Sequence, residues 1–217
     1  MTSKQEQSPA VTAVPDTVRN YVGGEWVTVE GDDGQPVLNP ATNETLAETT
    51  FSDQATVDEA VQTASEAFEE WRATSPVERV QYLFDLKREL EDRQEAIAQA
   101  LTREHGKTLG EARGEIRRGI ENVEVAAGIP NMLREGSGNV EGVATNTDEH
   151  AVRQPLGVFT AITPFNFPAM IPLWFLPYAV ATGNAFILKP SEKVPLSSQL
   201  IFEAVDAAGF PDGIATL

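Results

Sequence analysis

The stretch GVFTAITPFNFPAMIPLWFLPYAVATGNAFILKP, residues 157–190, decides the fold of this chain. Residues 157–162 form an apolar run that predicts a buried β-strand, and 171–181 predicts an apolar helix. A second buried strand is predicted at 185–188, and the alternation of helix and strand continues to Leu217. Buried strands separated by helices indicate an α/β fold, here an incomplete doubly wound parallel sheet.

The residues before this core predict a different arrangement, in which helices dominate. Two short strands are predicted around the Gly23-Gly24 turn, a loop opens at 37–40, and a further strand covers 45–50. Helices then follow, because apolar residues recur at three- and four-residue steps between capping signals. Their predicted bounds are 53–71, 76–90, 94–104 and 109–127.

Residues 140–154 alternate weakly between apolar and polar side chains, which predicts an exposed two-stranded ribbon. An open ribbon edge invites pairing with another chain, so we expect a partner subunit to cover it. The chain then divides into a polar, disordered leader at 1–16, a main domain made of 17–139 and 155–217, and the ribbon.

The charge of the chain bounds its partners. A net charge of −17 and a pI of about 4.4 argue against nucleic-acid binding, which needs a basic surface. The chain is rich in carboxylates and poor in lysine, and such a surface is tolerated best where salt screens its self-repulsion. This composition favours a halophilic source with a high-salt cytoplasm. An ordinary acidic protein is the alternative.

The chain contains no Cys and only two His, His105 and His150, so neither a disulfide nor a structural metal site is expected. No apolar run reaches the roughly 18 residues that a membrane span requires. The polar N-terminus also lacks the apolar core of a signal peptide. We therefore expect a cytoplasmic protein with no membrane partner.

Asn166 lies between two aromatic residues and two prolines, just after the first predicted strand of the sheet. A fixed, neutral amide in that place can donate a hydrogen bond to a developing oxyanion. Removal of such a donor typically costs about 2.7–4 kcal/mol of transition-state stabilisation. The alternative is a turn Asn that caps the helix after Pro168.

Lys189 and Glu192 follow the second predicted strand, at the sheet edge where ligands bind in open α/β folds. An ammonium group there can donate to ribose hydroxyls, and a carboxylate can accept from a 2′-hydroxyl. The carboxylate would repel a 2′-phosphate, so the pair favours NAD over NADP. The alternative is a Lys and a Glu on the surface of an ordinary loop.

Arg118 belongs to a predicted helix that is otherwise rich in Glu. One interpretation is that Arg117 and Arg118 pair along the helix with Glu115, Glu121 or Glu124. The other is that Arg118 points inward and forks onto a substrate carboxylate.

Taken together, these residues resemble the aldehyde dehydrogenase superfamily. The chain is most similar to the branch of methylmalonate/malonate-semialdehyde dehydrogenases that acylate coenzyme A, and the resemblance runs from about Tyr21 to Leu217. Phe165 stands where the wider superfamily commonly has Trp, which favours this branch. The matching motifs are GIENVE with AAG (119–128), RQPLGV (153–158), ITPFNFPAM (162–170) and GN through ILKPSE (183–192).

The resemblance implies a role for each candidate residue. Asn166 matches the oxyanion donor, and Arg118 matches an Arg that holds the substrate carboxylate. The dinucleotide-binding positions are matched by Thr163, Phe165, Lys189 and Glu192, with Lys193 beside them. The ribbon matches an oligomerisation arm, so a homo-oligomer, dimer or tetramer, is implied. The main domain corresponds to the N-terminal part of an NAD-binding domain.

In the family reaction a Cys attacks the semialdehyde, a hydride passes to NAD, and the acyl group passes to coenzyme A with decarboxylation. The family's Cys lies beyond the position equivalent to Leu217. We therefore expect an N-terminal portion of such an enzyme, without the catalytic domain and inactive alone.

Two alternatives remain open at this point. The first is another NAD-dependent aldehyde dehydrogenase that uses water instead of coenzyme A. The second is a non-catalytic assembly subunit that keeps the ribbon and has lost the chemistry.

Overall fold

A computed structural model describes residues 17–31, 33–135 and 138–217. The predicted leader at 1–16 lies outside these residues. Within the described residues, no helix is both long and apolar enough to cross a membrane, and no group of His, Cys, Asp and Glu could hold a metal ion.

The centre of the fold is a parallel sheet, as the sequence predicts. Strands β7 (Val158–Ile162), β8 (Ala185–Lys189) and β9 (Ala215–Thr216) pair side by side in that order. The connecting helices are α5 (Met170–Ala181) and α6 (Leu196–Ala207). The predicted α/β fold is confirmed, because each strand leads through a helix into its parallel neighbour.

One expectation for this sheet is wrong, since β7 is not buried. Phe159 is 43% exposed and Ile162 is 77% exposed. The reason is the strand order: β8 pairs on both sides, whereas β7 has no second neighbour among the described residues. An apolar run alone cannot separate a central strand from an edge strand.

In the described part of the chain, four helices come before the sheet. They are α1 (Gln54–Trp71), α2 (Pro76–His105), α3 (Leu109–Ala126) and α4 (Ile129–Glu135). One hydrophobic core joins α1, α2, α3, α5 and α6 to the sheet. The short α4 was not expected from the sequence.

The helices predicted at 76–90 and 94–104 are one continuous helix, α2. No Pro or Gly separates Leu90 from Gln94, so nothing interrupts the backbone ladder there. The helix begins after Ser75, its N-cap, which forms a capping box with Glu78. It ends before Gly106, which adopts a left-handed φ of 86°.

The N-terminal strands form two hairpins. These are β1 (Asn20–Val22) with β2 (Glu25–Val27), and β3 (Gly34–Leu38) with β4 (Thr45–Thr50). The loop predicted at 37–40 is wrong in part, because Val37 and Leu38 belong to β3. Pro36 is tolerated in this strand, because β3 is an edge strand that pairs only with β4 among the described residues.

The ribbon is present and exposed. Strands β5 (Gly138–Ala144) and β6 (Thr147–Ala151) pair antiparallel, and every residue in them is exposed. The predicted ribbon is thus confirmed as a local structure. Its role in assembly stays a prediction.

Candidate functional site

The candidate residues lie on two segments at the carboxyl edge of the sheet. We call residues 163–169, between β7 and α5, the first connection, and residues 190–195, between β8 and α6, the second connection. The Thr163 amide donates to the Lys189 carbonyl at 3.0 Å and so brings the two segments together. The Thr163 hydroxyl is buried and has no hydrogen-bond partner among the described residues.

Asn166 is exposed near the middle of the first connection. Within the described residues its side-chain amide makes no hydrogen bond, and it does not cap α5. The Ala169 and Met170 amides instead donate to Glu115 Oε1, at 2.9 and 3.1 Å. The capping alternative for Asn166 is therefore excluded, and its amide is available to a ligand.

A buried ion pair lies directly beneath the first connection. Lys107 on the α2–α3 loop pairs with Glu115 of α3, and their side chains are only 9% and 1% exposed. Lys107 Nζ also donates to the Asn166 carbonyl at 3.3 Å and lies 4.9 Å from the centre of the Phe167 ring. Sequence reasoning missed this pair.

A signal for Glu115 does exist in the sequence. Position 115 lies on the same helical face as the buried Ala112, Ile116 and Gly119, so a carboxylate there must be buried as well. A buried carboxylate needs hydrogen-bond donors, and without a cation as well it tends to take up a proton. Among the pairings predicted along α3, the one that joins Glu115 to Arg117 or Arg118 is wrong, because Glu115 accepts from the amides at the start of α5 and pairs with Lys107.

The second connection carries its own charges. Lys189 Nζ binds Glu192 Oε2 at 2.7 Å, with both side chains substantially exposed. The hydrogen bond from Lys189 holds the pKa of the Glu192 carboxyl below its usual value, so the carboxylate is ionised. Lys193 Nζ lies 5.6 Å from the centre of the Phe165 ring, which links the second connection to the first.

A second buried carboxylate supports the second connection from below. Glu104 of α2 accepts from the Leu196 and Ser197 amides, the first two of α6, at 2.7 and 2.9 Å. Burial raises the pKa of Glu104 to about 7.

A cavity of about 670 Å³ opens beside the second connection. Lys189, Pro190 and Glu192 line one end of it, and Arg19 and Thr216 line other parts. Asn166, Thr163, Phe165 and Arg118 are not among its lining residues. The cavity is therefore adjacent to the ribose candidates and separate from the oxyanion candidate.

Arg118 of α3 lies near Phe167 of the first connection. Its guanidinium carbon is 5.8 Å from the centre of the Phe167 ring, and its Nε donates to the Gly114 carbonyl at 3.3 Å. The neighbouring Arg117 pairs with Glu121 and Glu124, whereas no carboxylate lies within 4 Å of Arg118 among the described residues. Of the two arginines, Arg118 is thus the one without a carboxylate partner among the described residues, and it lies near Phe167, the residue after Asn166.

Comparison with known proteins shows the family to which this chain belongs. A model of the aldehyde dehydrogenase family matches residues 26–217, which is most of the chain. The chain belongs to the aldehyde dehydrogenase family. The expectation drawn from the motifs at 119–128, 153–158, 162–170 and 183–192 is confirmed at this level.

Individual members of the aldehyde dehydrogenase family show the same relation. A malonate-semialdehyde dehydrogenase of Lacticaseibacillus casei is 45% identical over 201 residues, which cover 93% of this chain and 40% of the relative. The solved methylmalonate-semialdehyde dehydrogenase of Oceanimonas doudoroffii is 40% identical with a TM-score of 0.89, covering 93% of this chain and 41% of that one.

A third member was solved with NAD+ and octanal. This aldehyde dehydrogenase C of Pseudomonas syringae is 32% identical with a TM-score of 0.85, covering 98% of this chain and 42% of that one. The chain therefore spans about two fifths of the length of the aldehyde dehydrogenases that it matches.

Proposed function

We propose that residues 17–139 and 155–217 form the N-terminal part of the NAD-binding domain of a CoA-acylating methylmalonate/malonate-semialdehyde dehydrogenase. The substrate is a small semialdehyde, and the product is acetyl- or propionyl-CoA, formed with decarboxylation. One observation carries the proposal: among the described residues the exposed Asn166 amide has no protein partner. The guanidinium carbon of Arg118 lies 5.8 Å from the centre of the ring of Phe167, the residue after Asn166. The names of the similar proteins support the same substrate class.

In this proposal Asn166 is the catalytic residue of the chain. Its amide donates to the oxygen of the semialdehyde as negative charge develops there, and the connection holds it ready before the substrate arrives. Arg118 receives the distant carboxylate of the substrate, because a guanidinium binds a carboxylate through two parallel hydrogen bonds. The aldehyde carbon then lies between the two side chains.

The residues of the two connections fit NAD. Lys189 and Glu192 offer the donor and the acceptor that ribose hydroxyls require, and Lys193 adds positive charge. The buried hydroxyl of Thr163 has no hydrogen-bond partner within the part of the chain that the structure describes. Phe165, 55% exposed, offers an apolar face beside them. NAD supplies the hydride acceptor, and Glu192 disfavours the 2′-phosphate of NADP.

The test of the proposal is Asn166→Ala in a complete dehydrogenase that carries residues 1–217. We expect kcat to fall about 10²–10³-fold, as for other oxyanion donors. Asn131→Ala, on the exposed surface of α4, is the matched control and should leave kcat unchanged. An unchanged kcat in Asn166→Ala would remove the catalytic role of this residue.

Arg118→Leu separates the acidic semialdehyde from other aldehydes. We expect KM for malonate semialdehyde to rise on the order of 10- to 100-fold, since one charged hydrogen-bonding partner is lost. KM for a neutral aldehyde should stay the same. If both values stay the same, the alternative of a non-acylating dehydrogenase for uncharged aldehydes gains support. Arg117→Leu, which breaks only ion pairs within the helical layer, is the control.

The chain of 217 residues contains no Cys, so by itself it should form no NADH from semialdehyde, NAD and coenzyme A. NADH formation by the purified chain would overturn this expectation. Binding to a complete dehydrogenase without binding of NAD would favour the assembly-subunit alternative. The homo-oligomeric ribbon contact, the cytoplasmic location and the high-salt adaptation stay predictions.

A further inference from the structure

The buried pair of Lys107 and Glu115 does more than fill space under the first connection. We propose that these two side chains are positioning residues, which fix the direction in which Asn166 presents its amide. The inference rests on the proposed role of Asn166 and extends it to residues that do not touch the substrate.

The contacts hold the backbone at Asn166 and on its C-terminal side. Lys107 Nζ binds the carbonyl of Asn166 itself, at 3.3 Å, and lies over the ring of Phe167, the next residue. Glu115 accepts from the amides of Ala169 and Met170, which are three and four residues after Asn166. The two side chains also bind each other, so the two contacts form one connected clamp.

Each member of the clamp has a task that an apolar residue could not perform. The first amides of α5 have no intrahelical acceptor, and no side chain of the first connection caps them. Glu115 satisfies two of these amides with one oxygen and uses the other to bind Lys107. Lys107 in turn donates to the Asn166 carbonyl.

Stability alone does not account for a buried ion pair here. Replacement of such pairs by well-packed apolar residues is often neutral or stabilising, because two charges must be removed from water. The pair does supply a fixed backbone geometry, and catalysis by a preorganised donor depends on that geometry. Lys107 is 9% exposed and its charge is matched by Glu115, so it does not itself bind the substrate.

The experiment is a double-mutant cycle between Lys107 and Asn166 in a complete dehydrogenase that carries residues 1–217. The variants are Lys107→Met, Asn166→Ala and the combination, with Lys107→Arg as the conservative variant. Lys87→Met is the matched control, since Lys87 is also an ion-paired lysine but pairs on the surface with Glu91 and Glu124.

We expect Lys107→Met to lower kcat on the order of 10- to 100-fold, with KM for NAD unchanged. In the Asn166→Ala background the same substitution should cause no further fall, because its effect passes through Asn166. Lys107→Arg should restore part of the rate, and Lys87→Met should change nothing. Additive effects in the cycle, or a full rate in Lys107→Met, would overturn the inference.

The outcomes separate this inference from the proposed function. If Asn166→Ala keeps a full rate, the catalytic role fails; if only Lys107→Met keeps it, the clamp fails and the catalytic role stands. Should Lys107→Met not fold, amide hydrogen exchange in the unsubstituted protein decides. The clamp requires slow exchange at Ala169 and Met170, although both amides belong to a helix start, and rapid exchange there would refute it.

Discussion

The two connections at the carboxyl edge of the sheet both present candidate ligand-binding side chains and lead into a helix, but they carry different charges. The first, residues 163–169, has no charged side chain of its own and presents a neutral Asn166. The second, residues 190–195, carries Glu192 and Lys193 on its surface. Each leads into a helix whose first amides are bound by a buried Glu from the helical layer.

The difference between the two buried carboxylates is instructive. Glu115 under the first connection has Lys107 as its partner. Glu104 under the second connection has only hydrogen-bond donors, because no Lys or Arg lies within 4 Å of it among the described residues. Burial therefore dominates its environment and raises its pKa to about 7. The connection with a neutral surface is supported by a complete ion pair, and the charged connection by a titratable acid.

The largest expected effect tests the ion pair of the first connection. Lys107→Met leaves Glu115 buried without a cation, and such a change typically costs about 3–5 kcal/mol. Urea unfolding of the protein should therefore show a much lower free energy of unfolding, while the surface variant Lys87→Met should show almost none of this loss. If the free energy of unfolding falls no more in Lys107→Met than in Lys87→Met, Glu115 does not depend on its cation. The buried carboxylates under the two connections would then not differ in this respect.

The next effect tests the lone carboxylate of the second connection. The pKa of Glu104 is about 7 in the folded protein against a reference of 4.5, so between these values the folded state keeps a proton that the unfolded state has lost. The contribution of Glu104 to the free energy of unfolding should be fully present below about pH 4.5. It should be lost as the pH rises through 7, which lowers the stability by up to about 3 kcal/mol.

The variant Glu104→Gln isolates this term, because Gln resembles the protonated acid and does not titrate. Chemical unfolding at a series of pH values should show a shallower fall in stability between pH 5 and pH 7 than in the unsubstituted protein. Parallel curves for the two proteins would show that Glu104 does not titrate in this range.

The smallest effect tests whether the two connections support each other. Ser198 of α6 donates to the Pro168 carbonyl of the first connection at 3.3 Å, in a buried position. Ser198→Ala should lower the free energy of unfolding by about 1 kcal/mol, the usual net value of one hydrogen bond. Thermal unfolding measures this change. No shift in Tm would mean that the connections are independent at this point.

The sequence predicts the parts of the fold that depend on local pattern. The capping signals at Ser52 or Asp53 and at Ser75 place the starts of α1 and α2 within a residue or two, and the structure selects Asp53 for α1. The apolar runs place β8 and α5 with similar accuracy. The positions of Asn166, Lys189 and Glu192 after strands of the sheet also agree with the sequence, while the site roles of these residues and of Arg118 stay predictions.

The parts that the sequence did not predict depend on tertiary partners. Exposure of β7 follows from strand order, and the buried roles of Glu104 and Glu115 follow from helix ends more than 50 residues away in the chain. Nothing near Lys107 in the sequence shows that it contacts Asn166. Such long-range contacts leave only a weak local signal, a charge on an apolar helical face.

Two buried contacts near the opposite ends of α2 restrict the number of residues in this helix. Near its start the buried Arg79 donates to the Ala181 carbonyl just before β8, and near its end Glu104 binds the start of α6 after β8. The two residues are about seven helical turns apart and so lie on one face. One inserted or deleted residue between them would rotate one relative to the other by about 100°. Only one of the two could then keep its backbone partners, so α2 should vary in sequence far more freely than in length.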